Sequence, residues 1–505
     1  MDNRMRAVCD LNVSTVREMA GRHEYDGVAQ DLSPDGVRRS LAALARARRD
    51  GPALPDAHDE AHLAVFEDAA RVQFGELELH RRDPHAHISN LDLACYDRQY
   101  APAGDRALAR RRHLAQWPQA VDAAIESLDR LAAPVAASLL PAVRGLTDGV
   151  DPAEGPHVVE ALAAHERLVE HIDRAARTGD PDGRLGGAGL AALMGSQEGV
   201  SVDLTALADA ADRERARMTE LLTEGCRALD PTRTVAELVP ELLADHPDAE
   251  TVIAEAAALT EEVIAFTRER RLAPHVDGEW RVGPAPASRR WATAMMTWAA
   301  PHEPDSPSWY HVTPPDPRWP RAEREEWLSI FNRTSLPAIT AHEVAPGHFA
   351  HGRSLRHAPG EVRGTLYSLA FCEGWAHYAE EVFWEEGFRD GDPRYAIGVA
   401  LEALIRSTRL TCAIGLHTGA MDVAEATARF ERDAFLARAG AVSEARRGTF
   451  DATYGRYTWG KLELLGLRDR ARTAWGTGFC LDRFHRAMLD LGSPPLGLLE
   501  TALEG

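Results

Sequence analysis

The sequence predicts a mainly α-helical protein with a small β-hairpin or sheet insertion. Most of the 505 residues lie in stretches rich in Ala, Leu, Arg and Glu, with apolar residues at helical spacing. Ten prolines between residues 271 and 320 interrupt this pattern, and strand-like segments lie among them. Hydrophobic residues make up 45% of the chain, which is enough for a sizeable core. We therefore expect an N-terminal helical region (1–270), a Pro-rich segment with short strands (271–320) and a second helical region (321–505), in one compact body.

Apolar side chains at spacings of three and four residues predict the helices of the N-terminal region. Such patterns predict helices over 36–49, 157–177 and 203–229. The tripeptide 230–232 (Asp-Pro-Thr) indicates a helix start before Val235, with Pro231 in the first turn. In a further helix, five apolar residues share one face: Val252, Ala256, Leu259, Val263 and Phe266.

The segment from Asp180 to Ser201 contains six glycines. It lacks the P-loop pattern, and it lacks a G-x-G-x-x-G sequence that follows a strand. We therefore expect a loop between two helices and no nucleotide site.

Two short segments of the Pro-rich part favour β structure. They are Trp-Arg-Val at 280–282 and Trp-Tyr-His-Val-Thr at 309–313, which are rich in aromatic and β-branched residues. We expect them to form the inserted hairpin or sheet.

Charge and cysteine content restrict the partners and the compartment. The 57 basic and 78 acidic residues give a net charge of −21, which repels phosphate backbones and anionic lipid and so disfavours nucleic acid and membrane partners. The six cysteines are far apart and form no C-x-x-C pair, which favours a reducing compartment. The N-terminus lacks the apolar core of a signal peptide, and no apolar run reaches the ~18 residues of a membrane helix. We therefore expect a cytoplasmic protein, of an oligomeric state that the sequence does not indicate.

The stretch from Thr340 to His348 resembles the zinc-binding H-E-x-x-H motif with two residues added before the second histidine. In the standard motif, two histidines four residues apart bind one zinc from one helix face, and the adjacent Glu acts as base on the zinc-bound water. Here His342 and His348 are six residues apart, which is about 240° on a regular helix. Pro346 and Gly347 lie between them and would allow a kink that returns His348 to the metal. From the spacing alone, a modified zinc helix and a helix stop without metal binding stay equally open.

A second stretch, from Phe371 to Glu381, supplies a candidate third ligand. Glu373 lies 25 residues after His348. A third ligand on a separate, downstream helix is the arrangement of the glutamate-zincin metalloproteases.

Other residues of this part of the chain leave alternatives open. His377 shares a helix face with the candidate ligand four residues earlier, so it would compete as a ligand or support one, and His351 is a further candidate. Glu380 and Glu381 would hydrogen-bond His377 from the next turn. Alternatively, residues 381–386 form an ordinary solvated acidic face.

Together these motifs resemble those of the bacterial "domain of unknown function 885" family, a group of helical, gluzincin-like proteins with the features of zinc metallopeptidases. The family hallmark is H-E-x-x-P-G-H followed by E-G-W-A-x-Y-x-E, and residues 342–348 and 373–380 match it in that order. Residues 409–417 are similar to its R-L-x-x-D-x-G-L-H block, and residues 457–462 to its Y-K-x-G-x-L block. The resemblance implies a large helical, gluzincin-like body around a deep cleft, with 321–505 as its zinc-binding catalytic region.

The resemblance also implies roles for individual residues. His342, His348 and Glu373 would bind Zn²⁺ and leave one coordination position for water. Glu343 would take a proton from this zinc-bound water and deliver it to the leaving amine, so that a peptide or related amide bond is hydrolysed. Because long helices would wall a deep channel, short peptides or small amides are the expected substrates.

Further polar residues are candidates for the rest of the site. Tyr457 and His417 are the candidate donors to the oxyanion, and Tyr454 is the alternative tyrosine. Either tyrosine would otherwise be packed in the core. Arg409 would bind a substrate carboxylate, or form a structural ion pair with Glu402 or another neighbour.

Three positions depart from the family pattern. Phe349 stands where family members often have a histidine, Ala413 replaces the aspartate of the R-L-x-x-D block, and Thr458 replaces the lysine of the Y-K block. The loss of the aspartate would leave Arg409 or His417 without its usual partner. The departures favour a second interpretation, an amide hydrolase or metal-dependent tailoring enzyme of a specialised metabolic pathway. The third is a non-catalytic helical binding protein.

Overall fold

The structure of the protein, a computed structural model, describes residues 1–286, 289–290, 293–303 and 305–504. Within these residues it contains 22 α-helices and one three-stranded sheet. The mainly α-helical fold with a small β insertion is therefore confirmed. In the described part of the chain, no helix is long and apolar enough to cross a membrane.

The helices before the sheet form the N-terminal region. They are α1 (Asn3–Cys9), α2 (Val13–Met19), α3 (Pro34–Asp50), α4 (Ala57–Ala70), α5 (His85–Leu91), α6 (Ala103–Leu114), α7 (Trp117–Ser127), α8 (Ala133–Gly145), α9 (Pro156–Thr178), α10 (Gly186–Glu198), α11 (Leu204–Leu229), α12 (Val235–Ala244) and α13 (Val252–Arg270). The helices predicted over 36–49, 157–177, 203–229 and 252–266 thus correspond to α3, α9, α11 and α13.

Two details of the N-terminal region differ from the prediction. Helix α12 begins at Val235, where Thr234 and Glu237 form a capping box, so Pro231 precedes the helix and does not lie in its first turn. The glycine-rich segment contains helix α10, although we expected a loop. Leu190 and Leu193 of α10 are buried, and the burial of this apolar face outweighs the low helix propensity of glycine.

The sheet consists of β1 (Trp280–Gly283), β2 (Ala294–Thr297) and β3 (Ser308–Val312), with β3 in the middle. Strand β1 pairs parallel with β3, and β2 pairs antiparallel with β3. The two predicted strands are β1 and β3, and since they are parallel the insertion is a sheet rather than a hairpin. One of the ten prolines, Pro304, lies outside the described residues.

The helices after the sheet carry the two matched motifs. They are α14 (Arg321–Leu328), α15 (Leu336–Glu343), α16 (His348–Leu355), α17 (Leu369–Glu385), α18 (Arg394–Thr418), α19 (Val423–Asp433), α20 (Arg438–Arg447), α21 (Arg456–Trp475) and α22 (Leu481–Leu489).

The largest hydrophobic core fixes the helices that carry the motifs. It contains residues of α10, α11, α13, α15, α16, α17, α18, α21 and α22 together with Tyr310 and Val312 of β3. Helices α17 and α21 approach each other at two glycines: a Cβ on Gly374 would lie 2.5 Å from the backbone of Gly460. This close crossing holds Glu373 of α17 and Tyr457 of α21 in fixed relative positions.

Candidate metal centre

A break in the helix brings the two motif histidines together. Helix α15 ends at Glu343 and α16 begins at His348, with residues 344–347 between them. The chain turns so tightly there that a Cβ on Gly347 would lie 1.9 Å from the carbonyl oxygen of His342. Only glycine fits this approach. The break after Glu343 therefore returns His348 to the side of His342, as a kink at Pro346 and Gly347 would.

Three side chains from three helices meet at this break. Nε2 of His342 lies 3.5 Å, and Nε2 of His348 lies 3.3 Å, from Oε2 of Glu373. The two imidazole rings are nearly perpendicular, with centroids 4.8 Å apart. Tetrahedral zinc with bonds of 2.0–2.1 Å separates its ligand atoms by about 3.3 Å, so the observed spacing suits one zinc ion.

The chemistry of the surrounding groups also fits a bound cation. The ligand set of two imidazoles and one carboxylate is typical of catalytic zinc. Oε2 of the neighbouring Glu343 is buried and has no hydrogen-bond partner among the described residues, and the same holds for Nδ1 of His348. The free Glu343 oxygen lies next in sequence to the candidate ligand His342 and is open to a bound water or cation.

Glu380 and Arg406 contact His342 on the side away from Glu373. Nδ1 of His342 lies 2.6 Å from Oε1 of Glu380, so Nε2 is left to face Glu373. Arg406 donates to the other oxygen of Glu380 at 3.2 Å and also pairs with Glu402 at 3.2 Å. A carboxylate on the second nitrogen of a metal-bound histidine fixes the orientation of the ring.

The electrostatics of the site depend on these contacts. Burial and Arg406 lower the pKa of His342, but hydrogen bonds to Glu373 and Glu380 outweigh them and raise it to about 9. Burial would raise the pKa of Glu373, but hydrogen bonds from the two histidines hold it well below its usual range. Burial raises the pKa of Glu343, which has no such donor. Glu343 is thus the carboxyl best suited to exchange a proton.

Tyr457 lies beside the three ligands, and Arg409 lies beside Tyr457. The rings of Tyr457 and His342 are stacked, with centroids 6.3 Å apart. The guanidinium of Arg409 lies 5.1 Å from the centre of the Tyr457 ring, and its two donors form a bidentate pair with Glu444 at 2.7 Å. The alternative of a structural ion pair is therefore the one observed for Arg409, with Glu444 and not with Glu402 as partner.

Two other predicted site residues are engaged elsewhere. Nδ1 of His417 accepts from the Leu185 N–H at 3.3 Å, and its Nε2 contacts the Gly448 carbonyl at 2.9 Å. His417 also lies eleven residues beyond Arg406 on α18, or about 16 Å along the helix axis. Tyr454 is fully buried in a hydrophobic cluster. None of these contacts supports a role at the oxyanion for His417 or in substrate binding for Tyr454, and both roles stay predictions.

The remaining candidates also have structural partners. His351 is buried and contacts the Ser493 hydroxyl at 2.8 Å, whereas Nδ1 of His377 lies 3.4 Å from Glu380. Glu381 does not lie on a solvated acidic face, because only 2% of its surface is exposed. It belongs to an ion cluster of four residues, Glu214, Arg217, Glu381 and Lys461, that joins α11, α17 and α21. Arg217 is exposed, and the other three residues are buried.

The three departures from the family pattern lie in the core. Phe349, Ala413 and Thr458 are exposed by 0%, 2% and 0%. Phe349 packs in the largest hydrophobic core, and Ala413 packs in the cluster that contains Tyr454. The absence of an aspartate at Ala413 does not leave Arg409 unpaired either, because Glu444 binds it.

Sequence reasoning missed Arg406 and assigned only part of the role of Glu380. Glu380 lies seven residues after Glu373, which is two helical turns less about 20°, so the two carboxylates share a face of α17. This spacing was a signal for a second carboxylate at the site. Arg406 had no such signal, because its contact with Glu380 spans 26 residues of sequence.

Comparison with known proteins finds a family model and solved structures that match nearly the whole chain. The family model described as "Bacterial protein of unknown function (DUF885)" matches residues 15–503. A structure of a candidate lipoprotein of unknown function from Shewanella oneidensis is 19% identical, with a TM-score of 0.79 over 99% of this chain and 98% of that chain. The structure of a candidate lipoprotein from Colwellia psychrerythraea is 18% identical, with a TM-score of 0.77 over 100% and 99%. No curated protein matches the sequence.

Proposed function

This chain belongs to the DUF885 family of bacterial proteins of unknown function, and we propose that it is a zinc-dependent hydrolase of peptide or related amide bonds. The observation that carries the proposal is the convergence of His342, His348 and Glu373 beside Glu343, whose Oε2 is buried without a partner. The same residues give the site its resemblance to gluzincin metallopeptidases.

In the proposed reaction, the three ligand residues hold the metal and Glu343 moves the proton. Zinc bound there would supply Lewis acidity toward a water molecule and toward the scissile carbonyl. Glu343 takes a proton from the attacking water and returns it to the leaving amine. Burial raises its pKa, which makes it a better proton acceptor than a carboxylate of ordinary pKa. Tyr457 is the better placed of the two predicted oxyanion donors, because its ring stacks on His342.

The burial of the site favours small substrates. His342 and His348 are exposed by 3% and 8% and Glu343 by 8%, whereas the side chain of Glu373 is exposed by 23%. A folded protein would not bring an internal loop to groups so deeply recessed. We therefore propose short peptides or small amides as substrates. A substrate from a specialised metabolic pathway falls within this class, although the buried departures at Phe349, Ala413 and Thr458 give it no separate support.

Metal content and cleavage together test the proposal. We expect about one tightly bound zinc per chain by mass spectrometry, its loss in a His348→Ala variant, and its retention in a His85→Ala variant with an exposed histidine on α5. We also expect cleavage within a library of short peptides and amides that a chelator abolishes and zinc restores. Zinc binding without cleavage of any member would favour the non-catalytic binding protein. A protein that takes up no zinc at this site would refute the proposal.

A further inference from the structure

A second group of metal-ligating side chains lies on the surface, apart from the proposed catalytic centre. It consists of His275 and Asp277, in the loop between α13 and β1, and His357, in the turn after α16. One ligand atom from each of the three lies within 4.8 Å of the others. The two imidazole rings are stacked, with centroids 3.8 Å apart and planes 13° from parallel.

The ring nitrogens of both histidines are free of protein partners. No hydrogen bond to either ring is found among the described residues. A metal lies in the plane of each imidazole that binds it, so the His357 ring turns out of the stack when both rings bind one cation.

Asp277 completes the group from a fixed position. One of its oxygens accepts a hydrogen bond from Nη2 of Arg353 at 3.0 Å, and Arg353 itself is buried in α16. The carboxylate is therefore oriented beside the rings by a well-anchored donor. Arg353 also reduces the negative charge that Asp277 would otherwise contribute.

We propose that His275, Asp277 and His357 form a second, lower-affinity zinc site. Two nitrogen ligands and one carboxylate select zinc and related transition metals over magnesium and calcium. Zinc needs ligand atoms about 3.3 Å apart. His357 is exposed, so rotation of its side chain can close the remaining gap. The need to order exposed side chains makes this site weaker than the buried centre.

The position of the second site gives it a structural consequence. Zinc there would join the loop before β1 to the C-terminal end of α16. Helix α16 begins with His348, so this link would stabilise the helix that carries a ligand of the first centre. None of the three side chains belongs to that first centre, so the inference does not depend on the proposed hydrolase activity.

Zinc titration of the stripped full-length chain, in excess Mg²⁺ to mask the acidic surface, tests the second site. We expect two zinc ions per chain in the wild type, with the second bound at least about tenfold more weakly. A His348→Ala variant should keep only the weak site, and a His348→Ala/His357→Ala double variant should lose both. Zinc should raise the melting temperature of the single variant and not that of the double variant.

Further variants separate the second site from general surface binding and from the first centre. Asp277→Asn should weaken the second zinc about tenfold, while His85→Ala, which removes another exposed histidine, should leave both sites intact. If the single and double variants bind the same amount of zinc, the second site is refuted. If the wild type binds one zinc that is lost with His357 and kept without His348, the second site stands and the first centre fails.

Discussion

Two neighbouring glutamates of α17 belong to two polar clusters that differ in their balance of charge. Glu381 belongs to the ion cluster, in which Arg217 and Lys461 each lie within 2.9 Å of both Glu214 and Glu381. Two carboxylates there meet two cations, so the formal charge is zero. Glu380 instead joins the candidate metal centre.

The candidate metal centre is incompletely paired. The carboxyl groups of Glu343, Glu373, Glu380 and Glu402 have one guanidinium among them, that of Arg406, which pairs with the last two. Negative charge is therefore in excess when the histidines are neutral. Oε2 of Glu343 and Nδ1 of His348 lack partners as well. Since burial of unpaired charge is costly, this imbalance is expected where a divalent cation binds. The comparison indicates that the ion cluster stabilises the fold, whereas the metal centre is arranged for a ligand.

The largest effect that we expect is on catalysis, from Glu343→Gln. Glutamine has nearly the same shape but cannot take the proton from water, so the cleavage rate should fall about 10²- to 10⁴-fold. Zinc content and thermal stability should stay close to the wild type, because Glu343 is not one of the three ligand residues. Rate assays and metal analysis of the same preparation check this, and a variant that cleaves as fast as the wild type would exclude Glu343 as the base.

The opposite result is expected in the ion cluster, from Lys461→Met. This change leaves two buried carboxylates with one cation, which should lower the free energy of unfolding by about 3–5 kcal/mol. The zinc content of the folded fraction should not change. Denaturant unfolding followed by circular dichroism, together with metal analysis, measures both quantities.

A double variant is the matched control for Lys461→Met. Adding Glu381→Gln restores a neutral cluster of Glu214 and Arg217, so at least about 1 kcal/mol of the lost stability should return. If the double variant is less stable than Lys461→Met, the charges in the cluster do not act together.

The sequence was informative about the metal centre and uninformative about the ion cluster for a physical reason. The ligand residues lie in short motifs, where helical geometry relates neighbours three, four or seven residues apart. Ion-pair partners of the cluster lie far apart in sequence: Arg217 and Glu381 are separated by 164 residues. Only the packing of α11, α17 and α21 brings them together. The same limit leaves the sequence without a signal for the burial of Glu381 in this cluster.

The elements of the fold likewise divide into those that the local sequence pattern predicts and those that depend on tertiary contacts. Helices with strong apolar periodicity, such as α13, and strands rich in aromatic and β-branched residues, such as β1 and β3, were predicted from local pattern. Strand β2 (Ala294–Thr297) has little strand propensity and forms because it pairs with β3. Helix α10 forms despite its glycines because its apolar face is buried. In both cases tertiary contacts outweigh local preference.

Glu198 is a buried carboxyl that differs from both Glu380 and Glu381, because only neutral groups hydrogen-bond to it. The Ser368 hydroxyl donates to it at 2.7 Å and the Leu496 N–H at 2.9 Å. Burial raises the pKa of Glu198 to about 7, more than these donors lower it. Between pH 4.5 and 7 the folded chain therefore keeps a proton that the unfolded chain releases, so the free energy of unfolding falls as the pH rises.

We expect Glu198→Gln to remove this pH dependence. At pH 8 the variant should be more stable than the wild type by at most about 3 kcal/mol, and at pH 5 the two should differ little. Urea unfolding at the two pH values measures the difference, with Glu500→Gln as an exposed control. An equal stability difference at both pH values would show that Glu198 is ionised in the folded protein throughout this range.

The smallest effect that we expect comes from Glu380→Gln, which changes a residue that orients a candidate ligand but is not itself a ligand. Glu380→Gln weakens the hydrogen bond that orients His342, and loss of such a partner typically reduces zinc affinity about 10- to 100-fold. Glu402→Gln is the matched control, because Glu402 also pairs with Arg406 but makes no hydrogen bond to His342 among the described residues. Competition with a chelator gives both affinities, and unfolding gives both stabilities. If Glu380→Gln lowers stability as Lys461→Met does while zinc affinity is unchanged, then Glu380 acts like Glu381, and the division of α17 between a structural and a ligand-binding cluster is wrong.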